Sequence, residues 1–186
     1  MRTELVVSAQ AGDRQAFDAL ATSMYDQLYA VARRILRDGY AAEEAVQECL
    51  IRAWRDLRSL REPSSFEAWM HRLLVNSCHD QGRKARRFRM EVADLSFDRL
   101  DPADDFATVV RVDELERAFL QLPVGHRAVL VLTHYLGMSA PEVGQVLRIP
   151  VGTVHSRLHY AVRAMRMALS KANAEPPPAA LPESGR

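Results

Sequence analysis

Apolar residues recur along this chain at steps of three and four, and nowhere do they alternate over a useful length. Steps of three and four place side chains on one face of a helix; a strand would need a step of two. Residues 3–36 read as helical with a break near Gly12, where Asp13 is positioned to cap a second helix. That helix carries Phe17, Leu20, Met24, Leu28 and Val31 or Ala32 on one face. In "RDGYAAEEAVQECLIRAWRDL" the stripe is Ala45, Val46, Cys49, Leu50, Ala53, Trp54 and Leu57. After the break "REP" comes "SSFEAWMHRLLVNSCHDQGRKARR", in which Phe66, Trp69, Met70, Leu73 and Leu74 supply the buried face. Ser64, followed three residues later by Glu67, has capping-box spacing at its start. The pattern predicts an all-α protein.

The rhythm is lost over residues 88–108, where "FRMEVADLSFDRLDPADDFAT" is rich in aspartate and contains a proline. The basic run "RKARRFR" lies just before it, so the charge changes sign within a few residues. This predicts two small helical domains, 1–87 and 109–171, joined by an acidic linker over 88–108, with a proline-rich disordered tail over 172–186. The chain of 186 residues is long enough for two such cores. Cys49 and Cys78 fall inside helical patterns and are expected as buried free thiols. The N-terminus has no signal-peptide run, and no segment approaches the roughly 20 apolar residues of a membrane span. A soluble, cytoplasmic protein without membrane insertion is expected.

Helical patterning resumes near Val109, and four helices follow in about 60 residues. Ser139 and Glu142 have capping-box spacing around Pro141. The corner "RIPVG" then leads into "TVHSRLHYAVRAM", where Val154, Leu158, Ala161 and Met165 form one apolar stripe. Two helices joined by so tight a corner make a helix-turn-helix unit, whose second helix enters the DNA major groove. Such a helix must tolerate phosphate and offer donors to base edges. Between Pro150 and Lys171 there is no acid, but there are three arginines, one lysine and two histidines. The other reading of this pattern is a solvated amphipathic helix closing a bundle.

At this point the residues resemble a family. "LPVGHRAVLVLTHYLGMSAPEVGQVLRIPVGTVHSRLHYAVRAM" resembles the C-terminal DNA-binding domain, domain 4, of bacterial sigma factors of the extracytoplasmic-function group. "AAEEAVQECLIRAW" is similar to the domain 2 helix that binds the polymerase clamp, and "SFEAWMHRLLVNSCHDQGRK" to the segment that melts and reads the −10 element. The resemblance covers about residues 5–170 and implies an alternative sigma factor, not an enzyme. Its implied partners are RNA polymerase core, promoter DNA and an anti-sigma factor.

The resemblance assigns core binding to Glu43, Glu44, Gln47 and Glu48, which also share adjoining helix faces by their spacing. Their alternative is a solvated face laced with salt bridges. It assigns the −10 element to Ser64 and Ser65 in the loop "LREPSSF" and to Asn76, Asp80, Arg83, Lys84, Arg86 and Arg87. An extruded base needs polar groups and stacking surface, and separating strands need cations for their phosphates. Asn76 has a second reading as the cap of a neighbouring helix, and Asp80 as a carboxylate that orients an arginine without touching DNA. Phe66, Trp69 and Trp54 are read as core-facing. The −35 element falls to His155, Ser156, His159 and Arg163, with Thr153 and Arg157 near phosphate.

The rival is a helix-turn-helix regulator acting without core polymerase; the two N-terminal segments argue against it. The sequence offers no nucleophile–base set, paired catalytic carboxylates, phosphate loop or cysteine–histidine metal spacing, so no catalytic residue, metal or cofactor is expected. His71, His79, His126 and His134 are read as surface or boundary residues.

Overall fold

The computed structural model describes residues 2–95 and 115–174, and among these there are helices and no strands. The first lobe comprises α1 (Arg2–Gln10), α2 (Arg14–Leu36), α3 (Gly39–Asp56) and α4 (Phe66–Leu95), with 3₁₀ turns at Leu57–Ser59 and Pro63–Ser65. The second comprises α5 (115–121), α6 (Val124–His134), α7 (Ala140–Leu147) and α8 (Val151–Ala174).

Local chemistry sets the helix starts. Asp13 accepts from the amides of Gln15 and Ala16 to open α2, and Asp38 from that of Ala41 to open α3. Ser139 and Glu142 close a reciprocal capping box on α7: Ser139 N–H donates to Glu142 Oε2 at 2.7 Å, and Glu142 N–H donates back to Ser139 Oγ at 3.5 Å. At the start of α4 the outcome differs from the expected Ser64 cap. Ser64 Oγ–H donates to Glu62 Oε1 at 2.8 Å, so Glu62 closes a 3₁₀ turn and α4 begins at Phe66. The other end of α4 also differs. It continues through the first eight residues of the expected linker, to Leu95. From Arg83 to Leu95 there is neither glycine nor proline, and good helix formers keep the backbone helical where the apolar rhythm has lapsed. The rest of the expected linker, and the tail from residue 175, lie outside the described residues.

The core of the first lobe is the predicted stripe of α2, with Leu20, Met24 and Leu28 fully buried; Ile35, outside that stripe as predicted, extends it, and Val46, Leu57, Met70 and Leu74 close it. Phe66 and Trp69 are buried as expected, whereas Trp54 is 45% exposed, its ring centroid 5.0 Å from that of Phe17. Cys49 and Cys78 are buried free thiols, and burial pushes both up to about 12, which keeps them as inert packing groups. In the second lobe Val129, Leu132, Val143, Val154 and Ala161 form the core.

The two lobes are packed together, and their buried side chains form one continuous cluster. Arg37, the residue that caps the end of α2, pairs with Glu116 of α5 at 3.0 Å, and the Arg34 guanidinium lies 3.6 Å over the Tyr135 ring. Two glycines admit the closest approach. A Cβ on Gly82 of α4 would stand 2.7 Å from Val124 Cγ2, and one on Gly125 of α6 would stand 3.0 Å from Arg157 Nη1 and 3.5 Å from His79.

Candidate nucleic-acid and polymerase interface

The helix-turn-helix unit is α7, a three-residue corner and α8. The corner is a Schellman turn: Arg148 is left-handed at φ 52°, its N–H donates to Gln145 O, and Ile149 N–H donates to Gly144 O at 3.0 Å. A Cβ on Gly144 would meet Ile149 O at 3.0 Å, so glycine lets the corner fold back on α7. This closure aims α8. Val154 and Ala161 turn fully inward, with Leu158 and Met165 partly buried behind them.

On the opposite side His155, Ser156, His159 and Arg163 are all exposed and share one stripe at helical spacing. Ser156 Oγ–H donates to Thr153 O at 3.0 Å, and Thr153 is partly buried beside the corner. Arg157 is not brought to this face. It is half-buried and lies against Gly125, in the junction with His79 of α4. Arg166 joins the exposed stripe instead, and it was missed. Its signal was the step of three from Arg163 on a helix without acids.

The acidic face of α3 is assembled as its spacing predicts. Glu43 and Gln47 are exposed, and Glu44 and Glu48 partly so. The Tyr40 hydroxyl is pushed up from its ordinary value by its hydrogen bond to Glu44 and by that carboxylate's charge. Tyr40 is 75% exposed, and Ile51 at 61% adds apolar surface to the same helix. Neither was read from the sequence, because both interrupt the polar pattern of that face.

Arg83, Lys84, Arg86 and Arg87 are exposed along α4, and Asn76 is exposed two turns earlier. Ser64 and Ser65 are exposed in the turn before the helix. Asp80 is not open to solvent in the same way. One oxygen accepts from Arg52 Nη2 at 2.8 Å and the other from Arg83. Burial pushes its carboxyl up, but the Arg52 hydrogen bond and the two guanidinium charges prevail and hold it below the ordinary aspartate value.

The histidines divide. His134 is exposed, but His71 is buried at 3% exposure with both ring nitrogens unpartnered, which corrects its reading as a surface or boundary residue. Burial holds His71 below the ordinary value of 6.5. His79 and His126 sit partly buried in the junction. Both are lowered first by burial and then by the Arg157 charge.

Two helical lobes among the described residues, the second ending in a helix-turn-helix with no acid between Pro150 and Lys171, have the architecture of the DNA-binding class. Comparison with known proteins narrows the class. Residues 20–88 match the family Sigma-70 region 2, and residues 113–165 match Sigma-70, region 4. The ECF RNA polymerase sigma factor SigE of Mycolicibacterium smegmatis is 32% identical over 181 residues, which span 93% of this chain and 70% of that protein. Among solved structures, CnrH in complex with the cytosolic domain of CnrY superposes with a TM-score of 0.65 at 26% identity, covering 91% of this chain and 97% of that one. The sigma factor RpoE in complex with the anti-sigma factor NepR, from Bartonella quintana, shares the fold at a TM-score of 0.61 and 23% identity, over 83% and 96% of the two chains.

The chain belongs to the extracytoplasmic-function sigma factors of the sigma-70 family. It is an alternative sigma factor, an initiation factor and not an enzyme, and a regulator acting without polymerase is not favoured. No helix among the described residues is long and apolar enough to cross a membrane.

Proposed function

We propose that this sigma factor docks on RNA polymerase core through α3, reads the −35 element with α8 and opens the −10 element along α4. The observation that carries the reading is the outer stripe of α8, where His155, Ser156, His159 and Arg163 stand exposed together with no carboxylate between Pro150 and Lys171. Hydroxyl, imidazole and guanidinium donors of this stripe would reach base edges, while Thr153 and Arg157 near phosphate would set register. Arg157, turned into the junction, serves this face only when the lobes part.

Glu43, Glu44, Gln47 and Glu48 supply a polar, acidic surface for a basic element of the core. Ser64, Ser65 and Asn76 surround the extruded base, and Arg83, Lys84, Arg86 and Arg87 hold the phosphates of the separating strands. Asp80 acts on DNA through Arg83, which it holds. The functional domains are residues 1–87 and 109–171, and the two family matches support this division; α4 carries the first on to Leu95, into the linker expected over 88–108, and α8 carries the second to Ala174, into the tail expected over 172–186. The third partner is an anti-sigma factor, in keeping with the RpoE–NepR assembly.

Promoter variants separate the roles. His159→Ala or Arg163→Ala should weaken discrimination at −35 and leave the −10 preference intact, while Asn76→Ala should do the reverse. Each lost base contact is worth about 1–3 kcal/mol, or roughly 5- to 150-fold. Loss of −10 discrimination on substituting α8 would overturn the assignment.

A further inference from the structure

Four charges in the first lobe form one chain of contacts across the seam between α3 and α4. Arg52 Nε–H donates to Glu48 Oε1 at 2.7 Å, one turn back on α3. Its Nη2 donates to Asp80 Oδ2 at 2.8 Å on α4, and the other Asp80 oxygen accepts from Arg83. Arg52 and Asp80 are each about one quarter exposed, whereas Arg83 is three-quarters exposed. The chain lines a cleft of about 460 Å³ that also holds Lys84 and Arg87.

This order of burial separates two functions. Arg83 stands outermost, where it can meet a phosphate. Asp80 is a carboxylate set within the basic stretch of α4, and a bare carboxylate there would repel the same phosphate. Arg52, inside and on another helix, is the group that neutralises it. We propose that Arg52 is a positioning residue for promoter opening: it compensates Asp80 across the α3–α4 seam, so that Asp80 can aim Arg83 without presenting net negative charge to the DNA. The proposal rests on the reading of α4 as the face that holds the separating strands.

The test is open-complex formation by holoenzyme at saturating core on one mapped promoter, measured against salt concentration. A residue that touches phosphate lowers the slope of log K against log salt by about one when it is removed. Arg83→Ala should therefore lose about one unit of slope. Arg52→Gln should leave the slope unchanged and reduce the open-complex constant roughly fivefold at every salt, the scale of one partly exposed ion pair. Arg52→Lys should recover most of that loss. In an Asp80→Asn background, where no carboxylate needs compensation, Arg52→Gln should cost less than twofold.

Thermal midpoints of the free variants guard against a folding defect, and the lysine variant and the double variant keep the comparison readable if Arg52→Gln is unstable. Two results would overturn the proposal: a slope change for Arg52→Gln matching that of Arg83→Ala, or losses from Arg52→Gln and Asp80→Asn that simply multiply. An unchanged slope in Arg83→Ala would instead remove the reading of α4 on which the proposal stands.

Discussion

Gly82→Ala tests how tightly the two lobes are held. Gly82 is helical, so the change should stabilise α4 by up to about 1 kcal/mol through reduced backbone entropy of the unfolded chain. The new Cβ would lie 2.7 Å from Val124 Cγ2, against an ordinary carbon contact of about 3.5–4.0 Å. Val124 opens α6 and is β-branched, so its side chain has few rotamers in which to retreat. Overpacking of this kind costs about 1–3 kcal/mol. The gain belongs to the first lobe alone, and the cost belongs to the contact between lobes. The closed arrangement should lose roughly 5- to 150-fold in population relative to the separated one, while the first lobe melts at the same temperature or higher. Small-angle X-ray scattering reads the first quantity as a larger radius of gyration, and thermal denaturation reads the second. An unchanged radius together with a lower melting temperature would refute this reasoning, because the strain would then fall within the lobe.

Acid should weaken the same junction. His79 and His126 in the junction are held below the ordinary 6.5, so the closed form keeps them neutral while the opened form takes up protons, and the buried His71 is held down in the same way against the unfolded chain. Stability is therefore full above about pH 6.5 and falls as the pH drops below it through the depressed values. Around His79 the charges of Arg157, Arg83 and Arg127 act in this direction and that of Asp80 against it. Urea denaturation at pH 7.5 and 5.5 should show the loss. Ser139→Ala removes the capping box of α7 and should cost about 0.5–2 kcal/mol, read by chemical denaturation of the full chain. Arg166→Ala, on the outer stripe of α8, should lower the salt slope of promoter binding by about one without altering base preference.

The helices and their inward faces were legible in the sequence because burial leaves a periodic trace. The stripes of α2 and α8, the Ser139–Glu142 box and the buried cysteines all follow from spacing and residue type. The exposed stripe of α8 was legible for the same reason, with Arg166 overlooked only because it lies beyond the motif. The contact between lobes was not legible. It depends on Gly82 and Gly125, whose contribution is the absence of a side chain, and it draws Arg157 away from the face its spacing suggests. The Arg52–Asp80–Arg83 chain joins residues 28 apart on different helices, which no local pattern records. The continuation of α4 to Leu95 was missed because propensity sustained a helix that burial no longer marked.

The most direct test of the central claim is run-off transcription with bacterial core polymerase free of any sigma factor, fragmented genomic DNA from the source organism and the purified chain, followed by mapping of transcript starts. The account predicts discrete starts that depend on the chain and share two upstream elements, the distal one altered by variants of α8 and the proximal one by variants of α4. Tight binding of the chain alone to duplex DNA, with no chain-dependent starts, would contradict it.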